Sequence, residues 1–486
     1  MLFSRRKLLS LLPAGVLGGA FQSQAALTDA FAIRGYYLTF MRMPVMGLPE
    51  WKAAVDCFKQ DSINTLILWM PGGFRSKKFP VTWRYNEDHA NVRADFVREL
   101  IDYAKANGIS VLLGFTPFGY DGVNQFPLEQ PELKARKADG SPVDPFGIQC
   151  WGWSLCPALE ESQRLMRAYA EEMIFDFYPN TDGLFIESSD YNVCQCPRCG
   201  PRHYEHEFSF VKWISEKVWQ AKPAATILVY PHYFTGKKVP GLEAAGLKQP
   251  FDPRWGLAFT PHSAHFDAGL IRQAKVSIYS GPEAALNTPP EVRSAVQEAK
   301  RRGVNGYVPS LEAFSYVATR AEGGEPYFVG KRRLPFGLDP DKEGKIPFDD
   351  LPPAVQRAAV REFSRDPDLS FEAFTQRLAD AFFQDPKASA KAEDLLALQR
   401  IWNFEAEWYW SSPLLDPEFF RQRASRLKWP AAKLSAYDSH LTRLKEIAAR
   451  YSRSSHPTEA KMGLLADTVV KRWNGRRPGD VLKEGR

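Results

Sequence analysis

An α/β chain, a (β/α)8 barrel followed by an all-helical C-terminal domain, is predicted by three features: eight short β-branched and aromatic runs between residues 33 and 309, amphipathic helical stretches separating them, and purely helical patterning after a Gly- and Pro-rich break. Strands in such an alternation run parallel, because each is joined to the next by a crossover helix. The strands expected are 33–40, 63–70, 109–115, 183–187, 226–230, 256–259, 275–279 and 304–308. Eight strands favour closure into a barrel, with a doubly wound open sheet as the alternative. Ala106-Asn107-Gly108 and Arg302-Gly303 supply the left-handed stops that end the helices before strands three and eight.

In chain order, residues 1–25 read as an export signal. Arg5, Arg6 and Lys7 precede an apolar run over 8–20, and Ser23-Gln24-Ala25 puts small residues where a signal peptidase reads, predicting cleavage after Ala25. Ser4-Arg5-Arg6-Lys7-Leu8-Leu9 resembles the twin-arginine signal, an ordinary secretory signal being the alternative. Either route places the mature protein in the periplasm or outside the cell. The apolar run is shorter than the roughly 20 residues that cross a bilayer, so no membrane segment is expected after cleavage. Residues 26–335 form the barrel domain and 336–352 a linker. The helical domain is 353–473, with helices at 353–364, 370–383 and 389–410, and 474–486 is a loose tail.

Composition narrows the function. Of 486 residues, 63 are Lys or Arg and 57 Asp or Glu, a balance of +6 to which Arg5, Arg6 and Lys7 contribute. So even a charge leaves no nucleic-acid footprint. No glycine-rich dinucleotide motif, haem-attachment motif or iron–sulfur run occurs, so no organic cofactor is expected and a redox role is the least favoured reading.

Several strands lead into loops rich in aromatic, proline and histidine residues: Trp69-Met70-Pro71, Phe115-Thr116-Pro117-Phe118-Gly119-Tyr120, Tyr230-Pro231-His232-Tyr233 and Thr260-Pro261-His262. In a barrel these gather at the C-terminal face, where such folds place their chemistry. The strand-three loop, 118–153, is long enough to suggest function.

The densest chemistry follows strand four, which ends on Glu187 and leads through Asp190 into Cys194-x-Cys196-x-x-Cys199. Three thiolates at that spacing can wrap one Zn²⁺, and a closed tetrahedral site needs a fourth ligand. Cys156 is the first choice, at the start of the helix leading into strand four; His203 and Cys150 are the others. A disulfide arrangement and unpaired thiols remain open. Such a zinc would be structural, pinning the strand-four loop. Cys57 reads as a buried apolar thiol.

The arrangement of Cys156-Pro157 before a helix, Glu187 at the end of strand four, and Cys194-x-Cys196-x-x-Cys199 resembles the zinc-bearing glycoside hydrolase family 42 β-galactosidases. Where those enzymes carry Asn before the glutamate, this chain has Ile186. The barrel with its helical domain, including Arg365-Asp366-Pro367-Asp368-Leu369-Ser370, resembles the α-glucuronidase-like hydrolases over most of the chain. These resemblances imply a carbohydrate-active TIM barrel with Glu187 as acid/base.

Glycoside cleavage needs two carboxyl groups flanking the sugar. Candidates for the second are Glu283 after strand seven, Glu312 after strand eight and Asp190. Asp182, at the opposite end of strand four, reads as structural. Aromatic side chains at the mouth would stack on sugar faces: Trp69, Trp83, Tyr120, Trp151, Trp153, Tyr230 and Tyr279, with His232, His262 and His265 as donors to hydroxyls. Arg34 and Arg42 are candidates for a uronate carboxylate. The function expected is an exported glycoside hydrolase acting on a carbohydrate substrate, the alternative a non-catalytic carbohydrate-binding protein on a degenerate barrel. The helical domain suits either a cap on the cleft or a homodimer surface.

Overall fold

A computed structural model describes residues 30–40, 47–70, 72–84, 87, 90–119, 122–143, 153–188, 193–237, 246–260, 266–280, 288–310, 317–319, 328–330, 351–403, 412–415 and 417–483. The expected signal segment, most of the expected linker and the end of the expected tail lie outside them. No helix among the described residues is long and apolar enough to cross a membrane.

Eight strands close into a barrel in sequence order: β1 Ile33–Thr39, β2 Thr65–Trp69, β3 Ser110–Phe115, β4 Gly183–Ile186, β5 Thr226–Val229, β6 Trp255–Phe259, β7 Ser277–Tyr279 and β8 Gly306–Tyr307. Every neighbouring pair is parallel, and β8 returns to β1 through Ile33↔Gly306 and Arg34↔Tyr307, which excludes the open sheet. Each strand lies within one residue of an expected run.

Alternation along each strand sorts side chains between two apolar regions. Ile67, Leu112, Phe185, Leu228, Ala258, Ile278 and Val308 meet inside the barrel, with Tyr37 and Tyr230 packed against them, while Tyr36, Leu38, Leu66, Leu68 and Leu184 join the larger core between barrel and helices. Small residues make room for large ones within the barrel. A Cβ at Gly114 would lie 2.8 Å from Trp69, and one at Gly256 2.6 Å from Leu228. At the N-terminal end of the strands a cavity of about 310 Å³ is lined by Asn64, Thr65, Ser110, Thr226 and apolar side chains such as Ile33 and Val276. None of the residues lining it is ionisable.

The helical domain contains Leu351–Arg365, Phe371–Phe383, Ser389–Asn403, Pro417–Leu427, Ala431–Tyr451 and Pro457–Trp473. Ser370 starts the second by accepting the Ala373 N–H at 3.1 Å. The first begins at Leu351, inside the segment expected as linker. The tail also departs from expectation: Pro478–Val481 is helical and Val481 is buried against the domain, because Pro478 opens the turn and Val481 gives it an apolar anchor. A short antiparallel pair, Val317–Thr319 with Phe328–Gly330, was not expected from the sequence. Domain and barrel are joined by a buried ion pair, Arg357 Nε to Asp61 Oδ2 at 2.7 Å, and by Gln297 donating to the Pro367 carbonyl at 3.0 Å.

Candidate active site at the end of strand four

Phe185 faces the barrel axis, so the two-residue period brings Glu187 to the same face one layer higher, at the C-terminal mouth. The Glu187 N–H donates to the Phe115 carbonyl at 2.9 Å, fixing the backbone where β4 ends. The half-buried carboxylate accepts from two phenols: Tyr37 of β1 donates to Oε2 at 3.3 Å, and Tyr230, just past β5, donates to Oε1 at 3.1 Å. Both rings meet Phe185 edge-on, at 5.8 and 5.9 Å between centroids. An apolar floor thus carries two phenols that fix the direction of one carboxylate. Tyr230 was expected as a stacking platform and also serves as this donor. Tyr37 was missed, although its alternation with Tyr36 and Leu38 in β1 places it on the inner face.

Beneath Glu187 lies a fully buried polar group. Ser188 and Tyr233 both donate to Glu207 Oε1. His232 Nε2 lies 3.2 Å from Ser188 Oγ. Since the serine proton goes to Glu207, the imidazole is the donor and the hydroxyl the acceptor, the reverse of a nucleophile activated by histidine. Burial, and then the Glu207 charge, push the Tyr233 phenol well above its ordinary range, so it remains a donor. Glu207 was not foreseen; its signal was a carboxylate on the buried stripe of His203–Ala221, between Tyr204 and Phe208.

The cysteines gather next to this group. The Sγ atoms of Cys156, Cys194, Cys196 and Cys199 lie within 4.8 Å of one another, all buried. Cys156 Sγ is 3.7 Å from that of Cys196 and 3.5 Å from that of Cys199, too far for a disulfide. A tetrahedron with metal–sulfur bonds of about 2.3 Å has edges of roughly 3.8 Å, so these separations fit one metal ion. The Arg136 N–H donates to Cys194 Sγ at 3.3 Å, and Gln195 N–H to the Arg136 carbonyl at 2.7 Å, tying the strand-three loop to the strand-four loop. Hydrogen bonds from Cys156, then Cys199, draw Cys194 down to about 2, while the Cys194 sulfur pushes Cys156 up to about 12. Four thiols this close resist ionising together unless a cation is present. His203 is not part of the thiol cluster. Its Nδ1 accepts the Cys194 N–H at 3.2 Å, and burial lowers it to about 4, so the ring is neutral with its proton on Nε2, 3.8 Å from Glu207 Oε2.

Several expected contacts with substrate are placed otherwise. Trp69 faces the axis but is 2% exposed, because its ring fills the space over Gly114. Tyr279 is 4% exposed and stacked between Phe266 and Tyr307 in the outer core, since its position in β7 points away from the axis. His232, at 2%, serves Ser188 instead of solvent. Trp153 is half-buried with the Lys134 ammonium 3.8 Å over its ring, which occupies that face. Trp83 is fixed to the strand-two loop through the Ser76 carbonyl and beneath Arg75. Arg34 donates to the Ser62 and Phe31 carbonyls. Asp182 accepts from the Val111 N–H and pairs with Lys105, each at 2.9 Å, at the far end of β4. Cys57 is half-buried. Asp190, Glu283, Glu312, Tyr120, Trp151, His262, His265, Arg42 and Cys150 lie outside the described residues.

Comparison with known proteins returned no matching family model and no matching curated protein. Among solved structures, a chitobiase of Flavobacterium johnsoniae is similar at 12% identity over 93% of this chain and 74% of its own, TM-score 0.48. The β-N-acetylhexosaminidase of Bacteroides fragilis is similar at 12% identity over 58% of this chain, TM-score 0.41, and the chain spans 62% of that protein's length. For the β-N-acetylhexosaminidase of Streptomyces coelicolor the figures are 16%, 58% of this chain, 59% of that chain and 0.39. At these values the likeness adds nothing to the closed eight-stranded barrel described above.

Proposed function

We propose that this chain is a glycoside hydrolase working at the C-terminal mouth of its barrel, with Glu187 as acid/base. The observation that carries the reading is the Glu187 carboxylate held by Tyr37 and Tyr230 above the Phe185 floor. A carboxylate oriented at the barrel mouth is what protonation of a departing glycosidic oxygen requires. The second carboxyl group is assigned to Glu283 or Glu312, which follow β7 and β8 in the sequence, or to Asp190. Cys156, Cys194, Cys196 and Cys199 are proposed to hold one structural Zn²⁺, which when bound would clip the strand-three and strand-four loops together. All four ligands are protein groups, so this ion would not activate water. Residues 1–25 are proposed to direct export to the periplasm or beyond.

The second reading, a sugar-binding barrel without catalysis, is favoured by Ile186, which stands where the family 42 enzymes carry Asn before the glutamate. One experiment separates the two. The mature chain is incubated with nitrophenyl β-N-acetylhexosaminides, β-galactosides and glucuronides and with plant, algal and host polysaccharides, and released sugar is measured. Hydrolysis of one class supports the hydrolase; retention of a glycan on an affinity gel with no release from any of them supports the binding protein. Metal analysis of the same preparation should return about one zinc per chain.

A further inference from the structure

We infer that Thr116 and Ser310 are substrate contacts, whose buried hydroxyls take up hydroxyl groups of a sugar at the two ends of the Tyr37–Glu187 hydrogen bond. The inference deepens the reading of the barrel mouth and rests on that mouth holding a sugar. Thr116 is 1% exposed and Ser310 6%, and the side-chain oxygen of each is buried with no hydrogen-bond partner among the described residues. A buried hydroxyl left unpaired costs free energy, and that cost is recovered when a ligand supplies the partner.

Strand register brings both hydroxyls to the site. β3 and β4 pair up to Phe115↔Ile186, and the Glu187 N–H donating to the Phe115 carbonyl extends the ladder, so Thr116 lies beside Glu187. β8 and β1 meet again at Tyr37↔Ser310, where the Tyr37 N–H donates to the Pro309 carbonyl at 3.0 Å. Each hydroxyl is therefore the lateral neighbour of one end of the Tyr37–Glu187 bond. Alternation turns both inward: Leu112 and Val308 belong to the inner core, and Thr116 follows by four residues, Ser310 by two. The pattern continues round the mouth. Leu228, Ala258 and Ile278 of that core are followed two residues later by Tyr230, Thr260 and Ser280, so on four consecutive strands, β5 to β8, the apolar interior gives way to hydroxyl groups. A hydroxyl side chain donates one hydrogen bond and accepts others, the same capacity as a sugar hydroxyl, so this layer matches a ring bearing several of them. β8 stands opposite β4 in the closed barrel, and a ring held by Ser310 has Glu187 across from it.

The test uses the full mature chain as wild type and as Thr116→Val, Thr116→Ser and Ser310→Ala. Binding of the methyl β-glycosides of galactose, N-acetylglucosamine and glucuronic acid is measured by titration calorimetry, with thermal melts of each protein alone. Thr116→Val keeps the shape of the side chain and removes an unpaired hydroxyl, so its melt should equal or exceed that of wild type, and the same holds for Ser310→Ala within the loss of one small group. Affinity for the glycoside that wild type binds should fall about tenfold in each, the size of one neutral hydrogen bond. Thr116→Ser, which retains the hydroxyl, should bind within about twofold of wild type. Should Thr116→Val fail to fold, Thr116→Ala replaces it. Unchanged affinity in either folded hydroxyl-free variant overturns the inference, as does a lowered melt with unchanged affinity, the result expected if the hydroxyls hold only structural water. Failure of wild type to bind any of the three glycosides overturns it as well. Hydrolysis is not read in this experiment, so turnover surviving Glu187→Gln would refute the catalytic reading while leaving the binding result to stand or fall by itself.

Discussion

Carboxylates at two places in this chain are stabilised differently. In and around the helical domain, Asp61 is met by Arg357, Glu362 by Arg361 and Arg377, and Asp394 by Arg443, Arg450 and Tyr451. At the barrel mouth, Glu187 receives the phenols of Tyr37 and Tyr230, and Glu207 the hydroxyls of Ser188 and Tyr233. A guanidinium satisfies a carboxylate and cancels its charge, which suits an anchor. Hydroxyl donors fix the direction of a carboxylate and leave its charge in place, which suits a group that must meet a substrate.

Substitutions should separate the two sets. The largest effect on stability is expected for Asp61→Ala, which leaves Arg357 buried without its partner and should cost about 3–5 kcal/mol in urea unfolding followed by helical signal. Replacing both Asp61 and Arg357 by apolar residues of similar volume should recover most of that loss, and hydrolysis per folded molecule should not change. If Asp61→Ala abolished turnover at full stability, the division between anchors and working groups would fail.

Tyr233→Phe comes next. It removes one donor to the buried Glu207 and should cost about 1–3 kcal/mol in the same assay. Tyr37→Phe is expected to lower stability by about 1 kcal/mol or less, because its partner is only half-buried, yet to reduce turnover about tenfold by releasing one oxygen of Glu187. Steady-state kinetics on the substrate identified by the glycan panel checks this, a wild-type kcat counting against the two-phenol support.

The smallest effect concerns acid. Burial alone would push the Glu362 carboxyl up, but the charge and hydrogen bond of Arg361, then those of Arg377, hold it below its ordinary 4.5. A carboxyl depressed in the folded state contributes stability that is present above its unfolded value and is lost as pH falls through the folded one. The helical domain should therefore lose stability as pH drops below about 4.5, its unfolded value, and Glu362→Gln should remove that part of the dependence. Thermal melts between pH 3 and 6 (about that range) measure it.

The barrel was legible in the sequence because parallel strands buried on both sides leave continuous apolar runs, as in Thr65–Trp69 and Trp255–Phe259. Glu187 was legible because it ends such a run. Which face each aromatic takes was harder to read. Trp69 and Tyr279 both lie near strand ends, and only the register decides that one fills the axis and the other the outer core. Tyr37 and Glu207 escaped notice because their partners are 150 and 19 residues distant in sequence, at Glu187 and Ser188, and the closed barrel creates the contact. The short helix at the C-terminus was hidden by its short, mixed composition, with Pro478 and Val481 its buried residues.

The claim beneath this account is that the carboxylate of Glu187 does the chemistry at the barrel mouth. The most direct measurement compares kcat for wild type and Glu187→Gln on the same glycoside, with circular dichroism melts run in parallel. Loss of about 10²–10⁴-fold in kcat with an unchanged melt is the predicted result. A Glu187→Gln protein that turns over within about twofold of wild type would contradict it, since general acid/base assistance of that size could not then reside at this position.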